Sequence, residues 1–122
     1  MAAKEILVLE DEALIAIDIE TTLADAGFNE ITVHATAASA LERIEQARPT
    51  AAFLDFNLGR DETSVDVAEK LKTLGVPFVF LTGYTEATVS LPDELDSAQR
   101  IEKPFQPNEL ITAAEDMLQT VK

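Results

Sequence analysis

Short apolar runs alternate along the chain with stretches whose apolar positions recur at helical spacing. Ile6 to Leu9 reads as a buried strand. Ile15, Ile19 and Leu23 follow on one helical stripe, and Gly27 stands where a helix C-cap belongs. Ile31 to Val33 alternates weakly, as an edge strand does. Ala37, Ala40, Leu41 and Ile44 make a second stripe, with Thr36 as its N-cap. Ala51 to Leu54 is a third strand, closed by Asp55. A polar loop from Asn57 to Ser64 leads into the stripe Val67, Ala68, Leu71 and Leu74, which Gly75 and Pro77 stop. Phe78 to Leu81 is a fourth strand. Glu86 to Ser90 reads as a short helix, residues 91–99 as a polar loop, and Arg100 to Glu102 as a brief fifth strand. Pro107 suits the first turn of a last helix with the stripe Leu110, Ile111, Ala114, Met117 and Leu118.

This order predicts an α/β fold, a doubly wound (βα)5 unit whose five-stranded parallel sheet is covered on both faces and joined by right-handed crossovers. In such folds ligands bind beyond the carboxyl ends of the strands. The last predicted helix ends close to the end of the chain, so a single domain over residues 1–122 with no output domain is expected.

Charge narrows the partners. Nine Lys and Arg face 23 Asp and Glu, a net charge of −14. Direct nucleic-acid binding is disfavoured, because a phosphate backbone needs cationic neutralisation. No apolar run is long enough to span a bilayer, so no membrane role is expected. Without cysteine or a secretory leader, a cytoplasmic setting is expected.

Chemistry gathers at the predicted strand ends. Strand one ends in Glu10-Asp11, strand three in Asp55 and strand four in Thr82, while Lys103-Pro104 follows strand five. Each alone reads as a cap or turn residue. Together they bring three carboxylates, a hydroxyl and an ammonium to one sheet edge, which helix capping does not explain. Adjacent carboxylates repel unless a cation intervenes. Mg²⁺ suits them, since it prefers oxygen ligands and keeps room for water and phosphate. The combination fits phosphoryl transfer to the Asp55 carboxylate, with Lys103 and Thr82 serving phosphoryl oxygens.

Glu10-Asp11, Asp55, Thr82 and Lys103-Pro104-Phe105, in this strand order, resemble the receiver domains of bacterial two-component systems over essentially the whole chain. The resemblance implies a flavodoxin-like strand order 2-1-3-4-5 and a phosphoacceptor signalling protein rather than an enzyme. It implies direct metal ligation by Asp11, Asp55 and the Asn57 backbone carbonyl, with Glu10 acting mainly through water. Phe80-Leu81-Thr82-Gly83-Tyr84, Asp55-Phe56-Asn57-Leu58-Gly59 and Val76-Pro77-Phe78-Val79-Phe80 are similar to the FAT GUY subgroup of single-domain regulators. That pattern is Phe-x-Thr-Gly-x-Tyr, and here Tyr84 follows Gly83 directly. The subgroup implies a sensor histidine kinase as partner, with a further phosphorelay or stress-response protein, in a general stress response.

One departure bears on the switch. Most receivers carry Tyr or Phe three residues before the lysine, and this chain has Arg100. The expected switch is therefore Thr82 with Gly83 and Tyr84, and Arg100 is expected at the surface. His34 is expected to be an ordinary, partly exposed residue away from the carboxyl-end cluster, and Asp61 and Glu62 a solvated loop. Two other classes compete. A small phosphatase of the haloacid-dehalogenase type needs a second acid where this chain has Asn57, and a phosphate-independent adaptor needs none of the residues above.

Overall fold

The computed structural model describes residues 5–56, 58, 64–82, 99–102 and 105–120. Five strands are present: β1 (Glu5–Leu9), β2 (Glu30–His34), β3 (Ala51–Asp55), β4 (Phe78–Thr82) and β5 (Gln99–Glu102). All pair in parallel, in the order β2-β1-β3-β4-β5, a flavodoxin-like sheet. Four helices are described: α1 (Ala13–Asp25), α2 (Ala37–Gln46), α3 (Val65–Leu74) and α4 (Pro107–Thr120). The helix expected over Glu86 to Ser90 lies outside the described residues, as do Asp61 and Glu62.

Alternation along the strands splits the core into two layers. Leu7, Leu9, Ala52, Leu54 and Phe80 face α2 and α3, where Ala40, Ile44, Val67, Ala68 and Leu71 meet them. Phe56 and Phe78 pack edge-to-face on Phe80 in that layer, with ring centroids 5.8 and 5.5 Å away. Ile6, Val8, Phe53, Val79 and Leu81 point the other way, onto Ile19 and Leu23 of α1 and Leu110, Ala113, Ala114 and Met117 of α4. The central strands are apolar on both faces because both faces are covered. The edge strand β2 is only partly buried.

Local signals explain the helix ends. The Thr36 hydroxyl accepts from the Ser39 amide at 3.1 Å and caps α2. At α4, Pro107 needs no amide partner, and Glu109 reaches back to accept the Gln106 N–H at 2.7 Å. Gly75 closes α3 at φ +76°, a left-handed conformation that a side chain rarely adopts. Gly27 is one residue beyond the C-cap of α1, which is Ala26.

Three expectations about packing are corrected. In α1 Ala16, not Ile15, joins Ile19 and Leu23 in full burial; a methyl fits against the sheet while Ile15 stays at its margin. In α4 Ala113 is buried, and Ile111 is only half-buried. Residue 99, expected in the loop, already pairs with Val79 at the start of β5.

Candidate functional site

The parallel register sets the site. Leu9 and Leu54 are partners across β1 and β3, and Asp55 and Leu81 are partners across β3 and β4. Glu10, Asp55 and Thr82 therefore emerge at one level, at the carboxyl ends of the three central strands. All three are buried, at 1%, 3% and 2% exposure. Backbone bonds tie these ends down: the Glu10 amide donates to the His34 carbonyl at 2.9 Å, and the Phe56 amide to the Leu81 carbonyl at 2.9 Å.

Glu10 also organises the turn into α1. Its Oε2 accepts the Glu12 amide at 3.1 Å, and Glu12 is the N-cap of that helix. A carboxylate is favoured there, where helix amides lack intrahelical partners. Asp11, between them, is solvent-exposed. One ligand oxygen from each of Glu10, Asp11 and Asp55 can be chosen so that all lie within 4.8 Å of one another. At that separation two buried carboxylates such as Glu10 and Asp55 repel by on the order of 3 kcal/mol at an effective dielectric of about 20. A hard divalent cation reverses the sign, and an all-oxygen donor set with one open, exposed side suits Mg²⁺. The three residues fit the metal.

The Thr82 hydroxyl is buried and has no hydrogen-bond partner among the described residues. A buried hydroxyl without a partner is costly, and this one stands at the same sheet edge as the carboxylates. Ser64, the N-cap residue of α3, is another such hydroxyl, and its side chain makes no capping bond. Arg100 is half-buried on β5, opposite Phe80 in register, rather than fully at the surface. Asn57, Gly83, Tyr84, Lys103 and Pro104 lie outside the described residues.

His34 needs a correction. It is the last residue of β2, level with Leu9, so its backbone is at the carboxyl edge and holds Glu10. Weak alternation at residues 31–33 hid that extension. Its ring is half-buried, with Nδ1 sharing a 2.8 Å hydrogen bond with Ser39 Oγ. Burial holds its pKa below the ordinary range; Glu5 pulls it up and Arg43 adds to the depression.

Leu14 and Ile17 were also missed: they are 83% and 57% exposed at the start of α1, next to the acid pair. The signal was present, because Ala13-Leu14-Ile15-Ala16-Ile17 holds more apolar residues than one buried stripe can use.

A doubly wound parallel sheet with clustered carboxylates and a buried threonine beyond its carboxyl ends defines the receiver class of signalling module. The family model of the response regulator receiver domain matches residues 6–115, and the chain belongs to that family. It is 38% identical over 107 residues to the phyllosphere-induced regulator PhyR of Methylorubrum extorquens, covering 86% of this chain and 40% of PhyR. SdrG from Sphingomonas melonis Fr1 is 35% identical with a TM-score of 0.80, over 97% of this chain and 99% of that one. A response regulator receiver protein from Sinorhizobium medicae is 29% identical with a TM-score of 0.81, over 98% of each chain. The chain spans half or less of the length of the curated relatives it matches. Among the described residues no helix is long and apolar enough to cross a membrane.

Proposed function

We propose that this receiver accepts a phosphoryl group on Asp55 from a sensor histidine kinase, in a Mg²⁺-dependent reaction. It then signals through protein contacts or passes the phosphate on, within a general stress-response phosphorelay. The observation that carries this reading is the convergence of Glu10, Asp11 and Asp55 within 4.8 Å, beside the buried Thr82 hydroxyl.

Asp11, Asp55 and the Asn57 carbonyl would hold the metal, with Glu10 acting through water. When bound, the cation neutralises the carboxylates and takes up charge on the phosphoryl oxygens. The Asp55 carboxylate attacks phosphorus in line, forming an O–P bond as the donor's N–P bond breaks and the imidazole nitrogen recovers its electron pair. Most of the work is positioning and charge stabilisation. Thr82 donates its hydroxyl to one phosphoryl oxygen, and the Lys103 ammonium serves another. Burial of Asp55 restricts water near the acyl phosphate. Thr82 moving toward the phosphate carries Gly83 and Tyr84 with it, and Arg100 contributes to the face that partners read.

The FAT GUY resemblance supports the stress-response setting. The test is labelling with a small acyl-phosphate donor, with and without a chelator: incorporation is expected only when the divalent cation is present. Equal incorporation in the chelator would overturn the proposal.

A further inference from the structure

Glu10, which follows β1 directly, is held in place from the edge of the sheet. Its backbone amide donates to the carbonyl of His34, the last residue of β2, at 2.9 Å. The position of Glu10 therefore depends on where the end of β2 lies. β2 is an edge strand and only partly buried, so few strand contacts order its last residue. The His34 side chain supplies a further hold: Nδ1 shares a 2.8 Å hydrogen bond with Ser39 Oγ, in the first turn of α2. Ser39 is itself fixed, its amide donating to the Thr36 cap hydroxyl at 3.1 Å. The other ring nitrogen, Nε2, is buried and has no hydrogen-bond partner among the described residues, so Nδ1 alone tethers the ring there.

We infer that His34 is a positioning residue for the acid cluster. Its side chain latches the end of β2 to α2, its carbonyl passes that hold to Glu10, and the strength of the latch sets the cluster's affinity for a divalent cation. This deepens the proposed function and rests on that reading for the cation, whereas the latch stands without it. Mg²⁺ tolerates little departure from octahedral geometry, so a carboxylate whose backbone drifts serves it less well. Loss of the Ser39 hydroxyl would leave Nδ1 as bare as Nε2 in a half-buried ring, and a desolvated polar group without a partner is costly enough to drive the ring from its seat. The end of β2 then loses its anchor to α2, and the Glu10 amide loses its fixed acceptor. The coupling runs both ways: a cation that fixes Glu10 also tightens the His34–Ser39 bond.

The test compares Ser39→Ala, His34→Ala and His34→Asn with Thr32→Val in the isotopically labelled full-length chain at fixed pH. Thr32→Val is the control, because it also removes a 2.8 Å side-chain bond made by β2, but one that runs to Glu5 at the start of β1. Three quantities are read: stability in denaturant, Mg²⁺ affinity from amide-shift titration, and hydrogen exchange of the Glu10 amide without metal. Ser39→Ala and His34→Ala are expected to weaken Mg²⁺ binding by about tenfold, the low end of what groups that orient metal ligands contribute. Both should also speed Glu10 exchange. Thr32→Val should lower stability and leave the other two readings unchanged. His34→Asn, whose side-chain amide can stand where Nδ1 does, should restore both readings. The Ser39→Ala, His34→Ala double variant should lose no more affinity than either single one, since all three break the same bond. Mg²⁺ affinity that merely tracks stability, Thr32→Val included, would reduce the bond to a structural role and overturn the inference. So would Glu10 exchange unchanged in Ser39→Ala, or no recovery in His34→Asn. Failure of the wild type to take Mg²⁺ would sink the proposed function, while the metal-free exchange of Glu10 would still decide the latch.

Discussion

At the scale of single residues, the acid cluster assigns unequal roles. Glu10 is buried and its Oε2 is engaged by the Glu12 amide, while Asp11 is exposed on the open side. Asp11→Asn is therefore expected to weaken Mg²⁺ binding by about tenfold or more, as loss of a charged ligand does, and Glu10→Gln by less. A metal titration compares them, and equal affinity of wild type and Asp11→Asn would reject the assignment. Thr82 offers a buried hydroxyl with no partner among the described residues. Thr82→Ala should still be phosphorylated yet lose the amide-shift response, because removing that donor removes the pull on Gly83 and Tyr84. Tyr84→Ala should blunt the same response. If Arg100→Ala abolishes it while Tyr84→Ala leaves it intact, Arg100 is itself the switch. Asp55, Glu10 and Thr82 were legible in the sequence because a parallel sheet delivers every strand end to one edge. The His34 carbonyl that holds Glu10 was not, since a backbone group carries no residue signature.

At the scale of elements, patterning and caps act together. Thr36 was readable as a cap because a β-region hydroxyl preceded a helical stripe, and its bond to Ser39 explains why the helix starts there. Thr36→Ala should cost about 1 kcal/mol in denaturant unfolding. Leu71, fully buried between α3 and the sheet, should cost about 2–5 kcal/mol as Leu71→Ala, measured the same way. Helix α1 was the hardest element to read. With apolar residues at 13 through 17, periodicity alone does not say which of them face the sheet, and close packing admitted Ala16 in preference to Ile15. The surplus apolar residues, Leu14 and Ile17, are left exposed.

At the scale of the whole molecule, a polar network ties α2 to β1 and β2 on the sheet face that α2 covers. Arg43 on α2 binds Glu5 on β1 through two hydrogen bonds of 2.8 and 3.1 Å, and the Thr32 hydroxyl of β2 donates to the same carboxylate at 2.8 Å. Burial raises the Glu5 pKa, but the Arg43 and Thr32 bonds outweigh it and hold the group below its ordinary value. His34 is likewise held below its ordinary value, chiefly by burial. Both depressions act in one direction: the unfolded chain takes up protons first as pH falls, so stability drops. For His34 the loss begins near the ordinary value of 6.5 and is complete below its folded pKa. For Glu5 it begins near 4.5. Thermal midpoints measured from neutral to acid pH should fall in these two windows, and His34→Gln should remove the upper one. A midpoint unchanged below pH 6.5 in wild type would refute the His34 contribution.

The central claim is that this sheet edge makes Asp55 a phosphoacceptor, and intact-mass measurement after incubation with Mg²⁺ and a small acyl-phosphate donor tests it most directly. Expected is a gain of one phosphoryl group, stable in acid and lost in base as an acyl phosphate is. The gain should map to the peptide containing Asp55 and be absent in Asp55→Asn. No gain in the folded wild type, or a gain that survives Asp55→Asn or maps to His34, would contradict it.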